Sequence, residues 1–391
     1  MFIQYFKTTS KTTKIIFCIY LIQSIVTGVN YLISMYYAST VQYATKQVAI
    51  GWFVGASAIG SVACNYLLRN HIGLHPKKIF SGSLFAQAAA LIMVMISTNV
   101  PSILLSMFLL GGSGTVFISV LSFITLVENS SSKLRTDQTI KAQYMISNTG
   151  MAIGFILVGF CSVGYFYYIF SSLSVVLLLL SLLSSKLITT SFQTKEQCKS
   201  KDSLQTQPNY YYAWYGLILI FLVNFMFAQH RLAYPEVLQI AYGGKTAGYL
   251  SVLNPFFIVL LNIYALNRLA YFDQKQLATA GVFLVGVSGA LFLFKVNIIC
   301  VILACLVFSL GEAVSFNASQ YLCYAYVDNE KRATYISYFR SAIALGSIFG
   351  GPVAGYMVSE YQFSSIWREF LIISLVSILS YYLLKSKTIS N

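Results

Sequence analysis

Charge is what this sequence has least of. Only 9% of its 391 residues are Asp, Glu, Lys or Arg, against about 25% in a soluble domain, and the acidic share is smaller still, 11 residues against 25 basic ones. A soluble core is excluded on that ground. Histidine is nearly absent: His71, His75 and His230 are the three, they fall at or near the ends of apolar runs, and none belongs to an HExxH pair. The motif an intramembrane metalloprotease needs is therefore missing, as is any Walker A lysine loop, so ATP-driven pumping by this chain has no support. The seven cysteines form no CxxC pair and mostly lie inside apolar runs. They read as small buried hydrophobes, with no disulfide framework or metal site. Neither an enzyme nor a bound cofactor is expected.

What is present is hydrocarbon, 57% of residues, with a mean hydropathy of +0.72. It comes in blocks of about 20 residues, the length that spans roughly 30 Å of bilayer core, without the amphipathic period of a soluble bundle. The basic start, Lys7, Lys11 and Lys14, resembles a signal-peptide n-region. The apolar segment behind it, Ile15 to Tyr37, is too long for an h-region and has no small-residue cleavage site, so it is read as a first span. Further spans are expected at Val48–Leu68, Ile79–Ser97, Ser102–Val127, Ala142–Cys161 and Val163–Leu183. A charged loop, Glu128–Lys141, precedes the fifth. One long polar break, Ser184–Asn209, follows the sixth and reads as a flexible linker. The pattern then repeats at Tyr212–Gln229, Thr246–Asn267, Leu277–Phe294, Ile298–Tyr321, Tyr335–Val358 and Ile366–Leu384, with an outer loop at His230–Lys245. The expectation is an all-α polytopic membrane protein of twelve transmembrane helices in two six-helix halves, residues 1–185 and 211–391, joined by a cytoplasmic linker at 186–210.

The basic residues orient it. With the N-terminus inside, 19 of the 25 Lys and Arg fall in inner segments, and only Lys46, Arg231, Lys245, Lys295 and Arg368 fall outside; Arg340 lies within a span. That bias places both termini in the cytoplasm, and the net charge of +14 reflects topology, not nucleic-acid binding. Trp52, Trp214 and Trp367 each fall at a span end, as interfacial anchors do. The expected setting is a bacterial cytoplasmic membrane, and the expected state a monomer in the lipid bilayer.

The chemistry centres on Glu312, an acidic residue well inside a span. An intramembrane ionisable group is by default a functional-site hypothesis, and desolvation makes its protonation switchable. Ser315 and Phe316 lie one helical turn on and Ser319 two turns on, sharing its face, while Asn317 and Gln320 sit on a neighbouring strip. The alternative is that Glu312 pairs permanently with a cation, Arg340 being one candidate, and only fixes the packing of spans ten and eleven. Arg340 itself either snorkels to the inner surface or binds substrate or carboxylate. Gln23, Asn30 and Asn224 are further polar residues within spans, with Gln143, Asn148, Gln229, Asn254 and Asn262 beside them; for each, interhelical hydrogen bonding competes with a role at a cavity. Gly150, Gly154 and Gly159 in span five mirror Gly346, Gly350, Gly351 and Gly355 in span eleven, spacings that let backbones approach. Pro352 and Pro255 are expected to bend spans eleven and eight.

Two six-span halves about a cytoplasmic linker resemble the major facilitator superfamily. In that family the loop after span two reads Gly-x-x-x-Asp-Arg-x-Gly before basic residues. Here Gly73, Lys77 and Lys78 match, whereas Tyr66, Asn70 and His71 replace the first Gly, the Asp and the Arg. In relatives that Asp and Arg help latch the outward-open state. The stretch Gly311–Gly355, with Gly-Glu in span ten, Arg332 in an acidic loop and Gly351-Pro352 in span eleven, resembles the drug:proton antiporters, although their Gly-Pro pair in span five is Gly154-Phe155 here. The resemblance implies a cavity among spans one, four, seven and ten, where Gln23, Asn30, Asn224 and Glu312 would lie. It implies alternating-access transport of a small organic solute, coupled to protons through Glu312, in the export direction. Proton-coupled uptake of a nutrient, peptide or siderophore is the second reading, and a non-transporting sensor the third.

Overall fold

The structure, a computed structural model, describes residues 2–40, 46–97, 99–128, 133–160, 166–187, 210–242, 250–264, 272–293, 297–328 and 331–389. Every regular element among them is helical. A short α1 (Phe2–Thr8) precedes α2 (Lys11–Thr40), α3 (Lys46–Ile72), α4 (Pro76–Ile96), α5 (Val100–Glu128), α6 (Lys133–Phe160) and α7 (Phe166–Leu187). The second series is α8 (Tyr210–Tyr242), α9 (Leu253–Tyr264), α10 (Gln274–Ala290, then a 3₁₀ turn), α11 (Ile298–Ala325), α12 (Arg332–Tyr361) and α13 (Phe363–Ile389). Ten of these helices are long and apolar enough to cross a membrane. The other two of the twelve are α6, whose first turns carry Lys133, Arg135 and Lys141, and the 12-residue α9. The twelve expected spans are thus all represented by helices.

Several expected boundaries move. Span seven does not end at Gln229: α8 runs on to Tyr242. His230 is no outer-loop residue but is buried, its ring stacked 4.0 Å from that of Phe308 and 4.7 Å from that of Tyr234. Polar residue types mark where hydrocarbon ends, not where a helix ends. For the same reason α6 begins at Lys133, inside the expected charged loop, and α1 forms within the basic start. Tyr5 of α1 shares a hydrogen bond of 2.9 Å with Thr139 of α6, which tethers it there. Trp52 and Trp214 are exposed, as interfacial anchors are, but Trp367 is 2% exposed and packs against Phe292 and Phe370. Pro255 lies in the first turn of α9, where a missing N–H costs nothing, so it starts that helix and does not bend it. Pro352 is inside α12, against Gly51 and Gly55 of α3. Residues 188–209 of the expected linker, Cys161, Cys198 and Arg268 lie outside the described residues.

Glycines fix the pairing within each half. A Cβ on Gly154 of α6 would lie 2.6 Å from the Ile25 carbonyl oxygen of α2. One on Gly350 of α12 would run into the Phe225 carbonyl oxygen of α8. Backbones that close are possible only without a side chain. Likewise α4 packs on α7 and α10 on α13, the latter with Gly286 against Ser374. The scheme of α2–α7 therefore recurs in α8–α13. The two series meet along α3 and α12. At the end of the bundle where both series begin, one apolar cluster joins Leu126 and Ile140 of the first to Leu217, Tyr324, Val327 and Phe339 of the second.

Candidate solute site

Behind that apolar cluster, between the two series, lies a cavity of about 160 Å³. Tyr20 of α2, Ile118 of α5 and the α6 residues Gln143, Tyr144, Ser147 and Met151 form one side. Val223, Asn224 and Phe227 of α8, Glu312, Phe316 and Gln320 of α11, and Arg340 and Ile343 of α12 form the other. On α11 the lining residues stand four apart, along one helix row.

Glu312 lies midway along α11 and is 8% exposed. Its Oε1 accepts a hydrogen bond of 3.0 Å from the Tyr144 hydroxyl, across the boundary between the series. Its Oε2 accepts one of 3.1 Å from the Asn254 amide of α9. Asn254 is oriented in turn by Ser309, whose hydroxyl donates to Asn254 Oδ1 at 2.6 Å. Both carboxyl oxygens thus have neutral donors. The ring of Tyr144 stacks on Phe316 with centroids 4.7 Å apart, and Phe316 meets Phe339 edge-on. Packing therefore holds the hydroxyl at the carboxyl group.

Arg340 faces the same cavity from α12. No ion pair joins it to Glu312 among the described residues, and its side chain lines the cavity; the charge of Arg231 on α8 also acts on Glu312. The Arg340 Nη2 donates across the boundary to Ser122 Oγ of α5 at 3.4 Å. Ser122 donates its own proton to Gln143 Oε1 at 3.1 Å, and Gln143 donates to Thr125. The Nε of Arg340 is buried with no acceptor.

The family model that matches is described as Major Facilitator Superfamily, over residues 214–390. No curated protein matches the chain. Solved structures with the same fold include the human organic anion transporter MFSD10 (TETRAN), at 12% identity and TM-score 0.73, covering 95% of this chain and 99% of that one. The nucleoside transporter NupG matches at 14% identity and TM-score 0.67, covering 96% of this chain and 99% of its own. A peptide transporter POT in complex with sulfate matches at 16% identity and TM-score 0.68, covering 95% and 94%. The chain matches the Major Facilitator Superfamily model over its second half, residues 214–390, and shares the fold of these transporters over its whole length. It is an integral, multi-pass membrane protein with that superfamily's fold.

Within this fold the expected cavity residues divide. Glu312, Asn224, Phe316 and Arg340 line the cavity. Gln23 lies to one side, donating to Gln87 of α4 at 3.2 Å, and Asn30 is not among the lining residues. Ser315 turns its hydroxyl back to the Gly311 carbonyl at 2.7 Å and packs on Gly281 of α10. Ser319 is fully buried, with its backbone against Gly216 of α8. Tyr144, Gln143 and Gln320 join the cavity instead. Tyrosine is too common here, 29 residues, for Tyr144 to stand out in sequence. Gln320 needed the four-residue row to be preferred over the three-residue one.

The loop after span two is equally plain. Asn70 and His71 are the exposed last turn of α3, Gly73 is in the turn, and Lys77 and Lys78 open α4 behind Pro76. A contact between the series at that end is made by Asn65, a turn earlier and fully buried. Its amide donates to the Ser337 carbonyl of α12 at 2.9 Å, and its Oδ1 accepts from Ser119 of α5 at 3.1 Å. Gly346 and Gly350 pack on α8, and Gly351, beside Pro352, faces Val54 and Gly51 of α3; Gly355 is buried farther along α12.

Proposed function

We propose that this protein is a proton-coupled secondary transporter of a small organic solute, with Glu312 as the proton-carrying group and the cavity around it as the solute site. The observation that carries the reading is Glu312 itself: a buried carboxyl in a cavity between the two series, held by the neutral donors Tyr144 and Asn254. A group so placed is able to lose and regain a proton as the site changes sides. The two series, residues 1–185 and 211–391, would rock about the cavity, the apolar cluster at Leu126 and Phe339 acting as one gate. The similar structures include transporters of organic anions, nucleosides and peptides.

The likeness of α11 and α12 to drug:proton antiporters favours export, in which solute and proton compete for Glu312. Uptake is favoured by a different observation, the buried Arg340 Nε without an acceptor, and is developed below. In either case the termini face the cytoplasm, and the chain works as a monomer in a bacterial inner membrane.

The test is solute-evoked proton movement in proteoliposomes, comparing wild type with Glu312→Gln over drugs, sugars, amino acids, peptides and siderophores. Flux that vanishes in the variant, with solute still bound, is the expected result. Flux that survives assigns Glu312 to packing alone. Binding without flux in the wild type replaces the transporter with a sensor.

A further inference from the structure

Resting on that reading of the cavity, its Arg340 end holds a cationic hydrogen-bond donor with no acceptor among the described residues. Arg340 Nε is buried and has no acceptor. Gln320, 2% exposed, lines the same cavity one helical turn from Tyr324. The Tyr324 hydroxyl, one turn beyond Gln320, lies against the Gln320 amide and close enough to Arg340 to feel its charge. An unmade buried bond costs about 1–3 kcal/mol, more for a charged group, and a cation inside a membrane bundle ordinarily faces a counter-charge. Glu312 does not supply it.

We propose that Arg340 and Gln320 receive the charged group of an organic monoanion, a carboxylate on a body of about one ring. The charge follows from one cation beside neutral donors. A monoanion cancels Arg340, whereas a dianion leaves net negative charge in the cavity. The size follows from the volume: about 160 Å³, where roughly 150 Å³ admits a benzene ring. The body rests on Phe227, Phe316 and Ile343.

A consequence concerns coupling. The titratable and charged groups around Glu312 are Tyr144 of α6, Tyr20 of α2, Arg231 of α8, Arg340 of α12 and Cys305 on its own helix. A bound anion neutralises Arg340 and adds a negative charge to the space Glu312 shares. Both effects favour neutral Glu312, because like charges repel strongly where water is excluded. Solute and proton therefore bind together and move the same way, which is symport.

The test is calorimetric titration of the purified chain with benzoate, phenylacetate, nicotinate and hexanoate. Benzamide serves as the neutral isostere, benzylamine as the cation and phenyl phosphate as the dianion. At least one carboxylate is expected to bind, with benzamide about thirtyfold weaker, the loss that follows when a buried charge is left unpaired. Arg340→Gln removes that preference and Arg340→Lys keeps part of it. If Arg340→Gln does not fold, Gln320→Leu, which leaves the charge in place, is expected to weaken the carboxylate several-fold and benzamide less. Titration in buffers of different ionisation enthalpy is expected to show about one proton taken up per anion in wild type and none in Glu312→Gln. No binding by any carboxylate, equal binding of acid and amide, or anion binding without proton uptake overturns the proposal. Proton-coupled flux of a neutral or cationic solute alone overturns it too, while leaving the transporter reading intact. Carboxylate binding without flux does the reverse.

Discussion

In the first half of the chain Gly154 brings α6 against α2; in the second, Gly350 brings α12 against α8. The likeness extends to the ends of the helices. Glu128, closing α5, accepts hydrogen bonds from Ser10, at 2.8 Å, and Thr13, at the start of α2. Asp328, just after α11, accepts one from Tyr210 at the start of α8. The cavity breaks the likeness. Both of its charges, Glu312 and Arg340, come from the second half, and the first half answers with neutral groups, Tyr144, Ser122 and Gln143. The repeat shapes the scaffold, while both charges enter the cavity from one half alone.

The largest effects are expected where the halves agree. Gly154→Ala and Gly350→Ala each push a methyl group into a carbonyl oxygen, and overpacking of this kind costs about 1–3 kcal/mol. Thermal unfolding in detergent is expected to drop by similar amounts in both variants. A large drop in one and none in the other breaks the equivalence of the two packings.

That equivalence also explains what could be read in advance. Helix number and the two-series layout follow from apolar block length, because hydrocarbon thickness sets a span and any chain must obey it. The length of α8 past His230 does not follow, because the helix continues where aromatic rings cover the imidazole. Glu312 is legible because a carboxylate in an apolar run has few innocent explanations. Tyr144 is not, since its role depends on α6 lying across from α11. Ser315 and Ser319 sit near Glu312 by angle, yet the cavity follows the row Glu312, Phe316, Gln320, and the serines face neighbouring helices.

A middle-sized effect is expected at the joint between the halves. Asn65→Ala deletes the amide that holds Ser337 of the second half and leaves its partners unsatisfied, a loss of about 1–2 kcal/mol from this closed arrangement. The population with that end open should rise several-fold. Cys323 reports it directly, since it is buried within the apolar cluster at that end. In a variant keeping no other cysteine, maleimide modification of Cys323 is expected to speed up several-fold with Asn65→Ala. An unchanged rate means the apolar cluster alone holds the gate.

The smallest effect sharpens the comparison at the helix ends. Lys331, at the N-terminus of α12, donates to the Tyr210 hydroxyl at 3.1 Å and lies over its ring, whose hydroxyl in turn serves Asp328. The hydrogen bond to Tyr210 raises the Lys331 pKa above its ordinary value, helped by the charge of Asp328. A lysine raised on folding contributes stability below its unfolded pKa and loses it as pH climbs through the folded one. This tie should therefore loosen only in the alkaline range, and only slightly, because Lys331 is fully exposed. No lysine takes part in the Glu128 tie of the first half as Ser10 and Thr13 make it, so that tie has no matching alkaline step. Tyr210→Phe removes the acceptor while keeping the ring, and should flatten the alkaline fall in melting temperature relative to wild type. If both proteins fall alike, the Lys331 bond adds nothing to the fold, and the two halves are closed at their ends by carboxylates and hydroxyls alone.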